Sequence, residues 1–384
     1  MLSVAVIDAP ADIQDIVPEW RALIQTHGLH LPFQSPDWTL LWWTHFRREG
    51  RFARDQLRLF VVRERDGALA AIAPMMVTFR PGVGPVKTRE LQFIGADKNI
   101  TEIRGPICHP SRARAVFAAL RAHVAASQCC DWAQWRGLPA SAEAIENGNA
   151  LIPDADLDTI VSIKDVPASW ATFHAALPRN IKESLRKCYN SLKRDRHEFE
   201  VRVVSSPNEV EAALDRFFDL HRSRADRADT IKHPDIFDTS ASRNFLKDYC
   251  AHSAARGELR IFEMVIGGEV VATRIGFVSS GRLYLYYSGY SHAWARYSVM
   301  TTVVAEAIRW AIGEGCTSVN LSTGLDVSKT RWRPELVAYQ GFYEPVSHLH
   351  RLTTLKLFQT LRRKKPASSP AGSARIAVWN MPVG

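Results

Sequence analysis

Leu283-Tyr284-Leu285-Tyr286-Tyr287-Ser288-Gly289-Tyr290 reads as an aromatic strand, and the segments just after it decide the fold. A short loop, His292 to Tyr297, feeds a helix that opens at Ser298 and runs to Glu314, and a strand over Ser318–Leu321 closes the unit. Upstream lies a hairpin, Leu259–Ile266 and Glu269–Val278, turned by Gly267-Gly268. A strand that hands a loop to a helix N-terminus makes a place for a diphosphate. The first-turn N–H groups are unpaired there, and the helix dipole adds about half a positive charge. Ser298, Val299 and Met300 would present those amides, with Arg296 and Tyr297 just ahead of them. Gly289 marks a point where the strand could bulge, so Ser288, Gly289 and Tyr290 are expected beside a reacting carbonyl.

Working outward, the second half opens with helices Trp170–Leu177 and Arg179–Arg196, strand Phe199–Val204, and helices Pro207–Arg224 and Ser240–Arg256. The first half has a strand at Val4–Ile7 and a helix at Ile13–Gln25. A second helix starts at the capping Ser35-Pro36-Asp37, and a hairpin of Arg58–Glu64 with Ala68–Thr78 turns at Asp66-Gly67. Short strands at Leu91–Ile94 and Ile103–Ile107, a helix at Ser111–Ser127 and a strand at Trp132–Trp135 come next, then a loop over Ala140–Ala150. Each half thus has a hairpin, a further strand, a helix and a closing strand. The chain reads as two copies of one mixed α/β (α+β) unit, each a mostly antiparallel sheet flanked by helices. The expected divisions are 1–155, 156–350 and a C-terminal helix with a flexible basic tail over 351–384, most mobile from Arg362 to Gly384.

With 384 residues the chain exceeds one ordinary core, which agrees with two domains. Hydrophobic content of 46% and charged content of 23% are those of a globular protein. No apolar run reaches the ~18 residues of a membrane span, and Met1–Pro10 lacks the pattern of a secretory signal. A cytoplasmic location is expected, with the inner membrane face as a peripheral docking place. Cys108, Cys129, Cys130, Cys188, Cys250 and Cys316 form no zinc-type spacing and read as reduced thiols. His221, His233, His348 and His350 show no ligand spacing either, so no metal is expected. The net charge of +9 favours anionic partners.

From the hairpin to Trp332 the chain resembles the GNAT acyltransferase superfamily, and more closely the branch of CelD-type cellulose and exopolysaccharide biosynthesis proteins with the related FemAB-like transferases. The residues that carry this are Tyr297-Ser298-Val299-Met300, Glu314-Gly315, and Thr323-Gly324-Leu325-Asp326-Val327-Ser328-Lys329-Thr330-Arg331-Trp332. They stand where that branch has a Ser-Pro-Gly-like helix start, a glycine, and a Gly-Asp-x-x-Tyr-Lys-x-x-Trp-like motif. Val299-Met300 replaces Pro-Gly, and Ser328 replaces the tyrosine. In the first half the likeness lies in Phe33-Gln34-Ser35-Pro36-Asp37-Trp38 with Trp42-Trp43, Ile72-Ala73-Pro74-Met75-Met76 and Leu91-Gln92-Phe93-Ile94-Gly95. Leu177-Pro178-Arg179-Asn180-Ile181 matches too, so the resemblance covers about residues 30–345. It implies tandem GNAT-like domains, the first degenerate, and acyl-CoA, most simply acetyl-CoA, as co-substrate.

The resemblance also implies direct attack on the thioester, which needs a general base. Asp326, on the family's acidic position, is the first candidate, with Glu263, His292 and Glu102 behind it. A cross-strand charge pair explains Glu263 equally well. Lys329 and Arg331 could hold phosphates or simply form surface ion pairs; Trp332 is a further substrate-side candidate. Trp38, Trp42 and Trp43 could stack on a sugar, although helical spacing favours core. The basic helix from Arg179 to Arg196 reads as a solvated face or as a site for phosphorylated substrate, RNA or lipid headgroup. The expected activity is N- or O-acylation of a sugar-containing acceptor of surface-polysaccharide assembly, near a polysaccharide synthase. The rivals are a FemAB-like transferase using aminoacyl-tRNA and a non-catalytic accessory protein. An accessible Asp326 favours an enzyme, and a plugged cleft favours the accessory role.

Overall fold

A computed structural model describes residues 2–81, 87–97, 99–139, 152–153, 159–225 and 234–346. The loop expected at 140–150 and the tail from 351 lie outside these residues, as does the expected division at 155 and 156. In chain order the elements are β1 (Ser3–Ile7), α1 (Ile13–Thr26), α2 (Pro36–Phe46), β2 (Arg54–Arg63), β3 (Leu69–Pro81), β4 (Lys87–Phe93), β5 (Ile107–Cys108), α3 (Ala113–Ser127), β6 (Trp132–Pro139), β7 (Ile152–Pro153) and β8 (Thr159–Asp165). The second half contributes α4 (Trp170–Ala176), α5 (Arg179–Arg194), β9 (Phe199–Val204), α6 (Val210–Ala225), α7 (Ser240–Ala255), β10 (Leu259–Ile266), β11 (Glu269–Ser279), β12 (Arg282–Tyr290), α8 (Val299–Gly313), β13 (Ser318–Thr323), α9 (Val327–Thr330) and β14 (Glu335–Pro345).

The strands form one continuous sheet in the order β1-β2-β3-β4-β6-β14-β8-β13-β12-β11-β10-β9. Its two ends mirror one another. In the first half β2 and β3 form a hairpin, β4 adds to it, and α3 crosses over to a parallel β6. In the second, β10 and β11 form the hairpin, β12 adds to it, and α8 crosses over to a parallel β13. The repeat expected from the sequence is therefore present in the topology. The two strands at the centre are exchanged: β8 pairs with β13, and β14, near the end of the chain, pairs with both β6 and β8.

Three cores fill the layers. On one face α1 and α2 of the first half meet α6 and α7 of the second, so a single apolar cluster runs from Ile13 through Trp20, Trp38 and Trp42 to Phe217, Phe245, Tyr249 and Tyr286. On the opposite face α3 covers the first half, and α5 and α8 cover the second. Helix α5 shows how composition is used. Ile181, Leu185, Cys188 and Leu192 bury one stripe, while Arg186, Lys187, Lys193 and Arg194 remain exposed. Helix α2 begins where Ser35 Oγ accepts from the Trp38 N–H at 3.1 Å, with Pro36 at its first position. Among the described residues no helix is long and apolar enough to cross a membrane, and no cluster of His, Cys, Asp or Glu could hold a metal ion. All six cysteines are free thiols, and all but Cys129 are buried.

Candidate active site

The parallel strands β12 and β13 pair only at Arg282, Leu283 and Tyr284, against Ser318, Val319 and Asn320. Beyond Tyr284 they part. On its other side β12 stays with β11, but out of step: Gly276 faces Leu285, and Arg274 faces Ser288. One residue of β11, Ile275, thus stands opposite two of β12, which places a bulge at Tyr286-Tyr287. Both of these rings turn toward the same core, with centroids 4.6 Å apart. The sequence suggested a bulge at Gly289 instead. That glycine stays paired with Thr273 and serves packing, because a Cβ there would stand 2.5 Å from the backbone N of His221 in α6.

A loop from the first half is seated against this strand. The Tyr286 hydroxyl donates to the Ile100 carbonyl at 2.5 Å, and the Tyr287 hydroxyl donates to the Asn99 carbonyl at 2.8 Å. Behind the loop, Trp42 Nε1 donates to Asp97 Oδ2 at 2.7 Å and Trp38 Nε1 to Thr101 Oγ1 at 3.1 Å. Next in the chain stands Glu102, delivered to the point where β12 and β13 separate. Its Oε2 accepts from the Tyr284 hydroxyl at 2.5 Å, and its Oε1 accepts from Ser322 Oγ at 2.5 Å. Burial pushes the Glu102 carboxyl above its ordinary value, against the pull of these hydrogen bonds and of the Lys329 and Arg274 charges.

Asp326 lies close by in a different state. Its carboxylate caps α9, accepting from the Ser328 N–H at 3.1 Å and from the Ser328 hydroxyl, and it pairs with Lys329 Nζ at 3.0 Å. Partial burial raises its pKa, but Lys329, Ser328 and Arg274 outweigh that and hold it below the ordinary value. Lys329 also donates to the Thr323 carbonyl, which ties α9 to the end of β13. Arg331 joins the first turn of α8 to α5, with NH1 3.4 Å from Thr301 Oγ1 and NH2 2.9 Å from Ser184 Oγ.

Several candidates are placed otherwise than expected. Glu263 is fully buried in β10 and bound by Arg202 at 2.7 Å, directly opposite on β9, and by Arg216 at 2.9 Å. Both of its oxygens are engaged, so the charge pair describes it better than a base. Trp38 and Trp332 are 1% exposed and belong to the cores, which leaves neither a face for a substrate. Tyr297 and Val299 are also core residues; the Tyr297 hydroxyl donates to Asp195 Oδ2 at 2.8 Å and accepts from Arg296. What α8 offers is backbone: Ser298 takes a left-handed conformation (φ 58°) and makes no side-chain cap, and while the Thr301 N–H donates to the Ser298 carbonyl at 3.0 Å, the amides of Val299 and Met300 have no intrahelical acceptor. Tyr290 ends β12 half-buried, Met300 rests partly against the same core as Tyr297, and His292 is exposed.

The sequence reading passed over Arg274, Arg224 and Asn320. Arg274 is the one charge in the apolar run Val270-Val271-Ala272-Thr273-Arg274-Ile275, and it is 9% exposed. A lone cation inside an otherwise buried strand is the signal that could have found it. Arg224 NH1 donates to Ser288 Oγ at 3.1 Å, and His221 Nδ1 lies 3.0 Å from the Ser288 carbonyl.

A hairpin, a bulged third strand, a crossover helix and a diverging parallel strand make up one recognisable unit. Residues 179–332 match the family model of the acetyltransferase (GNAT) domain. The matched stretch holds β9–β13 and α5–α9. Among solved structures, that of FemX has a TM-score of 0.58 at 10% identity, covering 94% of this chain and 100% of its own. A conserved protein of unknown function from Bacteroides thetaiotaomicron gives 0.51 at 13% identity, over 88% and 99%. A tandem GNAT protein from the clavulanic acid biosynthesis pathway gives 0.43 at 9% identity, over 91% and 100%. At these identities the likeness is one of fold. Among curated proteins none matches in sequence.

Proposed function

We propose that the chain transfers an acyl group from acyl-CoA to an amine, in the cleft between β12 and β13, with Glu102 as the general base. The observation that carries this reading is the placement of a half-buried carboxylate, bonded to Tyr284 and Ser322 and with a raised pKa, where β12 and β13 part. The amides of Val299 and Met300 suit the donor's diphosphate, and the end of β12 over Ser288, Gly289 and Tyr290 suits its thioester arm. An ammonium gives one proton to Glu102, the nitrogen lone pair forms the C–N bond to the acyl carbon, and the C–S bond breaks. The second nitrogen proton goes to the departing thiolate. Asp326 and Lys329 brace the loop beyond β13 rather than carry the proton.

For the acceptor we propose an amino sugar or related intermediate of surface-polysaccharide assembly, the setting suggested by the CelD-type resemblance. Calorimetry with acetyl-CoA and longer acyl-CoAs tests the donor: saturable binding is expected, and folded protein that binds none of them removes the reading. A second reading, aminoacyl transfer from charged tRNA, draws on the exposed Arg186, Lys187, Lys193 and Arg194 of α5. RNA binding that weakens steeply with salt, combined with no acyl-CoA binding, would favour it.

A further inference from the structure

Two buried polar atoms without partners lie on residues flanking the point where β12 leaves β13. Among the described residues these are Arg274 Nε and Asn320 Nδ2, on residues 9% and 1% exposed. Arg274 NH2 donates to the Leu285 carbonyl at 3.1 Å. Leu285 is the first residue of β12 past its last pair with β13, Tyr284 opposite Asn320, so the guanidinium stands at the apex of the cleft. No carboxylate among the described residues reaches it at ion-pair distance, although Glu102 and Asp326 both act on its charge. Asn320 is oriented by the Ser322 N–H, which donates to its Oδ1 at 2.8 Å and so assigns Nδ2 as a spare donor. A buried guanidinium and a buried amide with unmade hydrogen bonds are costly unless something arrives to accept them. The two unmade donors call for an anion, and the carboxylate across from them calls for a cation.

We propose that Arg274, together with the Asn320 amide, receives a carboxylate or phosphate of the acceptor, while the amine of that same molecule lies against Glu102. This rests on the acyl-transfer reading of the cleft and narrows the acceptor to molecules that carry an amine and an anion a few bonds apart. Amino sugar phosphates and α-amino acids both have that form. The planar guanidinium suits the oxygens of either group.

Calorimetry on the full chain tests this with matched probes: glucosamine 6-phosphate against glucosamine, glycine against glycinamide, and inorganic phosphate alone. The anionic member of at least one pair is expected to bind tenfold or more tightly than its neutral partner, and Arg274→Gln is expected to abolish the difference while acetyl-CoA binding is kept. The pair that shows the preference identifies the anion as phosphate or carboxylate. Equal binding within both pairs, or a preference that survives Arg274→Gln, overturns the proposal. Should Arg274→Gln fail to fold, Glu102→Gln decides: removing the opposing charge is expected to tighten phosphate binding at least threefold, and an unchanged value counts against the site. An Arg274-dependent preference for succinyl-CoA over acetyl-CoA would place the anion on the donor and overturn the acceptor assignment. If phosphate binds through Arg274 while no acyl-CoA binds, the anion site stands and the donor reading falls.

Discussion

At the scale of single residues, the roles proposed for Glu102 and Asp326 can be told apart by measurement. Glu102→Gln should lower kcat by about 10²–10⁴-fold with acetyl-CoA affinity kept, the usual span for loss of a general base. Asp326→Asn, which removes a cap and an ion pair, should cost less than about tenfold. If the two variants lose activity equally, the assignment of the base to Glu102 fails. Because a base must be ionised, the acid limb of kcat/KM should lie above the ordinary carboxyl value of 4.5, and Glu102→Gln should erase it. Stability should respond in the opposite sense. A carboxyl whose folded pKa is raised penalises the folded state once pH exceeds the unfolded value, and the penalty is complete above the raised value. Glu102→Gln is therefore expected to raise Tm at pH 7–8, and the gain should fade as pH falls toward 4. The acidic residue at 102 was visible in the sequence as one candidate among four. Its rank was not, because burial and the hydroxyls of Tyr284 and Ser322 come from segments about 180 and 220 residues away.

At the scale of elements, tight packing and a pinned loop hold the cleft in place. Gly289→Ala would push a methyl to 2.5 Å from the backbone N of His221 and 2.6 Å from the carbonyl carbon of Leu220. Helix α6 would have to move, at a cost of about 1–3 kcal/mol in denaturant unfolding; no change would mean that α6 is loosely seated. Trp42→Phe removes the indole N–H that Asp97 accepts, in a carboxyl that burial already drives upward. A loss of about 1–3 kcal/mol is expected, with kcat falling more than KM changes, since the same loop carries Glu102. The helices and hairpins were legible because their apolar spacing is strong. Strand β8 and strand β14 were not assigned from the sequence. In β14, Glu335-Leu336-Val337-Ala338-Tyr339-Gln340-Gly341-Phe342-Tyr343-Glu344-Pro345, a glycine interrupts the apolar alternation and most positions are only half-buried. Its pairing also breaks step between Gln340 and Phe342. Such a strand is defined by its neighbours rather than by its own pattern.

At the scale of the molecule, β14 joins the two halves. Glu344 is clamped by Arg121 of α3 at 2.6 Å and by the Trp135 indole N–H of β6 at 2.8 Å. Both partners of the ion pair are little exposed, so Glu344→Ala should cost about 3–5 kcal/mol, read from the unfolding midpoint. We propose that residues 1–155 and 156–350 are units of a single folding system rather than separable domains. Either piece expressed alone is expected to aggregate through the open edge of β6 or of β14, and a soluble, cooperatively unfolding fragment would refute this.

The exchange of strands at the centre of the sheet also bears on synthesis. A nascent chain that has not yet reached Glu335 already holds the hairpins of both halves, yet the place between β6 and β8 is still empty. The central strand β14 is thus the last of the described strands that a ribosome supplies. Until that segment clears the exit tunnel, two unfinished edges face each other within one polypeptide, and anything that shields them during those seconds would govern how much mature protein results.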